Sequence, residues 1–167
     1  GELAFARIAF HEEMDARALL HLQNARRINP DDRTAHMATA VLCNHIEKYD
    51  LAIAAIEDAL ALDPLDLSAV YQLGKWSAVS GRDLKRGAAA LQRYLAFPPR
   101  VGDPDHASAL WRLGMIREKQ GDPAAARQAY QNALRLDPNL QSAQHALAAL
   151  MKGSNAKYKD LASGNDP

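Results

Sequence analysis

Residues 103–139 read DPDHASALWRLGMIREKQGDPAAARQAYQNALRLDPN. The stretch holds two amphipathic helical patterns in series. Asp103-Pro104 opens the first, an N-capping acid followed by a first-turn proline whose missing N–H no intrahelical bond would use. Leu110, Leu113, Gly114 and Arg117 then recur at helical spacing. Gln120-Gly121-Asp122-Pro123 breaks that helix and caps the next. Ala126, Tyr130, Ala133, Leu134 and Leu136 form the second apolar stripe, and Asp137-Pro138 ends the unit.

The same marks recur upstream. Pro30 sits in Ile-Asn-Pro-Asp and Pro64 in Leu-Asp-Pro-Leu; Pro30, Pro64 and Pro98 are each separated by 34 residues, as are Pro104 and Pro138. A fixed period of this length is the signature of a repeat architecture. The phase breaks once, between Pro98 and Pro104, where six residues, Pro98 to Asp103, are inserted. In the unit from Arg33 to Asp66, Ala40 stands where Gly114 stands, and Ala52, Ile56, Ala59 and Leu62 stand for Ala126, Tyr130, Ala133 and Leu136. The next unit carries Leu73-Gly74, Gly81, Leu84, Gly87, Leu91, Tyr94 and Phe97, with one extra residue near Arg82. In the opening unit Phe5 and Ala6 match Leu113 and Gly114, and Ala18, Leu22, Ala25, Ile28 and Pro30 match the second helix.

These residues resemble the tetratricopeptide repeat family, in a form typical of bacterial proteins. The resemblance covers about Glu2 to Met151, with Thr39 in place of the leucine seen at Leu73 and Leu113, and Cys43, Ser77 and Arg117 where the family favours a tyrosine. It implies an all-α, right-handed superhelical solenoid of about four antiparallel helix pairs plus a capping helix. The expected organisation is repeats at 1–32, 33–66, 67–106 (with the inserted loop) and 107–140, a cap at 140–151, and a disordered tail at 152–167, where Gly, Ser, Asn, Lys and Asp dominate. Small residues at Ala40, Gly74 and Gly114 let helix axes approach to about 8–10 Å. One pair cannot bury its apolar face alone, so neighbours stack. First helices then line a concave groove.

Projecting the family geometry places Arg7, Phe10 and His11, then Met37, Val41, Asn44 and His45, then Tyr71, Gln72 and Lys75, then Trp111, Arg112, Met115 and Glu118 on that groove. The residues expected to contact a partner are Arg7, Asn44, Tyr71, Lys75, Trp111 and Arg112, because aromatic and Arg anchors concentrate interface energy. The competing reading packs Tyr71 and Trp111 as plain core between adjacent helices. A clamp for a peptide's terminal carboxylate, known in some relatives, needs Lys, Asn and Arg from successive first helices; only Arg112, with Gln72 as a loose stand-in, fits, so that clamp is rejected.

Other chemistry finds no support in the residues. His11-Glu12-Glu13-Met14-Asp15 begins like a zinc-protease helix but has Asp15 where the second His is needed. The remaining histidines are scattered singly, and no phosphate-cradling loop or Gly-x-Ser-x-Gly elbow occurs. No catalytic, metal or cofactor site is expected. With 20 Lys+Arg against 20 Asp+Glu, no general basic field exists to bind nucleic acid. No run approaches the ~18 apolar residues of a membrane helix. Cys43 is the one cysteine, which excludes an internal disulfide and fits a reducing or an oxidising compartment alike. The chain starts at Gly1 rather than Met, which reads as a trimmed piece. The expectation is a non-catalytic scaffold binding a peptide or protein segment. Two alternatives stand beside it: an accessory domain of a larger enzyme or envelope-assembly protein, and a self-association module using terminal helices, with Phe5 and Phe10 exposed to suspicion.

Overall fold

The computed structural model describes the backbone of residues 2–98, 101–102 and 104–163, and side chains between residues 13 and 153. All the regular structure in it is helical: α1 (Glu2–Ile28), α2 (Arg33–His45), α3 (Tyr49–Leu62), α4 (Leu67–Ser80), α5 (Leu84–Leu95), α6 (His106–Lys119), α7 (Pro123–Leu136) and α8 (Gln141–Ser163). Helices α2/α3, α4/α5 and α6/α7 form antiparallel pairs, and successive pairs stack through α3 on α4 and α5 on α6.

Each pair turns through a left-handed residue at one matched place. Glu47, Gly81 and Gly121, at matched places in the three pairs, have φ of 59°, 76° and 78°. Glycine takes this conformation freely, whereas Glu47 does so against the steric preference of a Cβ-bearing residue. The extra residue of the third unit is absorbed by a second left-handed position, Asp83 (φ 46°). Ser77 Oγ lies 2.6 Å from the Arg82 carbonyl and closes that widened turn.

Aspartates set the starts. Asp32 accepts from the Thr34 and Ala35 amides, Asp66 from Ala69, Asp105 from Ser108 and Asp122 from Ala125. Such a cap is worth about 1 kcal/mol. The turns between pairs repeat as well. Asn29, Asp63 and Asp137 each precede a proline and accept from the amide two residues on, Asp31, Leu65 and Asn139. Where Phe97 replaces the Asn or Asp, this turn has no side-chain acceptor, and there the insertion falls.

Packing follows the small residues. A Cβ on Gly74 would lie 2.4 Å from Leu91, and one on Gly114 2.3 Å from the Tyr130 ring. Tyr94, Tyr130, Ile56, Leu91, Ile116 and Val70 are fully buried. Thr39, in the leucine place, is buried with its hydroxyl bonded to the Ala35 carbonyl at 2.7 Å. Cys43 is fully buried, and burial pushes its thiol up, which keeps it protonated and unreactive. Ion pairs Arg26–Asp58, Arg33–Asp66 and Arg86–Glu57 link neighbouring units across the outer surface.

Two elements depart from the sequence reading. The opening unit, expected as a helix pair over 1–32, is a single helix in this structure: α1 runs unbroken from Glu2 to Ile28. Glu13 occupies the place of Glu47, Gly81 and Gly121, and residues 2–29 contain no Gly or Pro, so local helix propensity carries through. At the other end α8 does not stop at Met151 but continues to Ser163. Ala156, Lys157, Leu161 and Ala162 are helix formers and no proline intervenes, which outweighs the glycine at 153. Residues 164–167 of the expected tail lie outside the described residues.

Candidate protein-binding groove

The first helices of the pairs present a row of side chains on one face, and its two ends differ. At the α6 end, Trp111 and Arg112 are both half-buried, and the Arg112 guanidinium carbon sits 3.9 Å from the Trp111 ring centroid. This is cation–π range, so the guanidinium is held over the indole face. Arg112 Nη1 reaches Met115 Sδ at 3.6 Å, while its Nε is buried without a hydrogen-bond partner.

Beneath this pair lies Tyr71, which is only 6% exposed. Its ring packs on Tyr94 at 5.2 Å, and Tyr94 meets His106 edge-on at 6.0 Å. Burial pushes the Tyr71 hydroxyl above the usual tyrosine range, against the pull of the facing Arg112. Tyr71 is therefore a buried support for Arg112 and not an exposed anchor. The Tyr94 hydroxyl donates to the Pro104 carbonyl at 2.5 Å, and His106 Nε2 lies 2.9 Å from the Phe97 carbonyl. These two bonds hold the residues that flank the insertion on either side.

Lys75 and Asn44 are half-buried. Arg7 falls on α1, and its side chain lies outside the described residues. Lys119, which sequence reasoning did not single out, extends from α6 to the Val79 carbonyl on α4 at 3.2 Å. The available signal was its place seven residues after Arg112, on the same helical face. Glu118 is exposed and accepts from the Tyr130 hydroxyl, whose ionisation burial and this carboxylate push far up.

At the α2 end the face is apolar. Thr34, Met37, Ala38, Val41, Leu42 and His45 line an open hollow, and Val41 is 56% exposed. Helix α6 packs directly on α4, whereas α2 and α4 meet far less closely. Among the described residues no group of His, Cys, Asp or Glu is placed to hold a metal ion, and no helix is long and apolar enough to cross a membrane.

Stacked helix pairs with a row of first helices on one face define a superhelical repeat scaffold. Tetratricopeptide-repeat profiles match residues 15–66 and 107–140, and the chain belongs to the tetratricopeptide repeat family. It is 32% identical over 105 residues to a mouse protein, Protein O-mannosyl-transferase TMTC1 (Mus musculus), covering 62% of this chain but 11% of that protein. The crystal structure of MamA superposes with a TM-score of 0.70 at 19% identity, covering 87% of this chain and 81% of that one. YrrB, described as a TPR protein with an unusual peptide-binding site, superposes with a TM-score of 0.57 at 20% identity, covering 84% and 70%. Repeats of this family are protein–protein interaction modules, and their partners are proteins or peptides.

Proposed function

We propose that this chain is a non-catalytic interaction module that holds a partner segment along its concave face, with its strongest contact at Trp111 and Arg112. The observation that carries the reading is the arrangement of those two residues. A large aromatic ring stands half-open, a cation is already fixed on its face, and Arg112 Nε has no partner. A buried tyrosine supports the cation from below, so little side-chain order remains to be imposed when a partner arrives. Lys75 adds a second positive charge one helix away, on α4. The matching partner is an extended or helical segment with an acidic side chain next to an apolar one. The neighbour whose description names a peptide-binding site gives independent support for this class of ligand. Arg7, Asn44 and Lys75 are proposed as secondary contacts, Tyr71 as the support. Nucleic acid is not a proposed partner, because the formal charge is zero.

The test is capture of partners from the source lysate by the parent chain and by a Trp111→Ala/Arg112→Ala variant whose helicity is checked by circular dichroism. A partner held by the parent and lost by the variant supports the groove. A partner held equally by both sinks it. A second reading, an accessory segment of a longer protein, is favoured by proportion: the chain spans 11% of the curated relative it matches. The reading frame on either side of residues 1–167 tests it.

A further inference from the structure

The contact between α6 and α4 defines how one first helix seats on the one before it. Four residues lie along α6 on this side, and two of them, Arg112 and Lys119, reach residues of α4. Arg112 faces Tyr71, Met115 is half-buried, Ile116 is fully buried, and Lys119 reaches the Val79 carbonyl. The repeat carries these four places onto Ala38, Val41, Leu42 and His45 of α2. Those residues line the open apolar hollow. Helix α2 thus presents the face on which a preceding first helix would sit, and Val41 stands 56% exposed in it.

The chain carries a segment of the right kind directly upstream. Residues 2–12 read ELAFARIAFHE, and their Phe5-Ala6 holds the place of Leu113-Gly114. They are the first part of α1, joined to the rest through Glu13-Met14-Asp15, where every other unit has its turn. Glu47 shows that a glutamate in this place adopts the left-handed turn, with φ 59°. A tethered segment competes for a nearby site at a high effective concentration.

We propose that the α2 hollow is the docking site of residues 2–12 of the same chain. The chain breaks α1 at 13–15 and seats this segment as a first helix, so α1 exists as a straight helix and as a helix pair. Docking covers Val41 and Leu42 and extends the concave face by one unit, which brings Arg7 into line with Lys75 and Met115. The inference is independent of which partner the groove binds.

The experiment is a distance measurement by pulsed electron resonance on the full chain. Spin labels go at Glu2→Cys and Asp31→Cys in a Cys43→Ala background, diluted into excess unlabelled protein so that only pairs within one chain are read. In a straight α1 the labels are on the order of 40 Å apart, at about 1.5 Å per residue. Docked, they come within roughly 20 Å, about two interaxial distances. The expected result is a short-distance population in the parent. Val41→Asp or Ala38→Glu should move it to the long distance while the far-ultraviolet spectrum keeps the helicity of α2 to α8. Asp15→Pro, which copies Pro123, should keep or enlarge it. A single long distance in the parent overturns the proposal. So does a short distance that both hollow variants leave unchanged. A short distance found only between singly labelled chains also overturns it, because the occupant is then a second copy.

Discussion

The two ends of the groove are built from the same repeat and are filled differently. At the α6 end, the face that seats on the preceding helix is occupied: Ile116 is buried, Arg112 covers Tyr71 and Lys119 ties to Val79. At the α2 end, the equivalent Leu42, Ala38 and His45 line an open hollow. The backbone frame does not account for the contrast, since an aspartate, Asp32 or Asp105, caps the start of each helix. It arises from what stands before each helix. A complete pair precedes α6, and an unbroken α1 precedes α2. In a repeat protein the energy of a unit depends on its neighbour as much as on itself, and these two helices show how far that dependence reaches.

The contrast can be tested by substitution. Tyr130→Ala strikes the filled end hardest, because the ring is fully buried against Gly114. A loss of about 3–5 kcal/mol is expected in urea unfolding, the usual cost of emptying a large aromatic site. An equal effect from Val41→Ala in the hollow would erase the distinction between the ends. Arg112→Ala should cost under about 1 kcal/mol of stability, yet weaken a captured partner by roughly thirtyfold, as a hot-spot anchor does. Titration calorimetry separates the two effects. Asp32→Ala and Asp105→Ala should each cost about 1 kcal/mol, as equivalent caps at both ends. Unequal costs would show that the frame differs too.

The smallest effect is a dependence on pH. Tyr130 is raised by burial and by Glu118, so its folded-state value exceeds its unfolded one. Stability from this group is present in full below about pH 10 and is lost as pH rises towards the folded-state value. Tyr130→Phe should flatten that alkaline slope, and an unchanged slope would assign it elsewhere.

Much of this was legible in the residues. The spacing of Pro30, Pro64 and Pro98, and again of Pro104 and Pro138, gave the period, and Gly74 and Gly114 marked the close approaches. The phase of the first helices placed Trp111 and Arg112 together. What escaped depended on contacts between units. Glu13 and Glu47 are the same residue at the same place, one inside a helix and one in a left-handed turn, so local propensity could not choose between them. Tyr71 lies on the groove face by phase, but Tyr94 and Arg112 from two other helices bury it. The extent of α8 was obscured by the glycine at 153, which composition reads as a stop and the helix tolerates.

The inserted segment at 98–103 enters at the joint between the α4/α5 and α6/α7 pairs. Tyr94 holds Pro104, His106 holds Phe97, and α6 rests on both α4 and α5. Val101 meanwhile stands fully exposed. A protease that nicked the chain at Val101 would sever the covalent thread and leave the joint intact. The two pieces, ending at Val101 and resuming at Gly102, would travel together as one particle and separate only in denaturant.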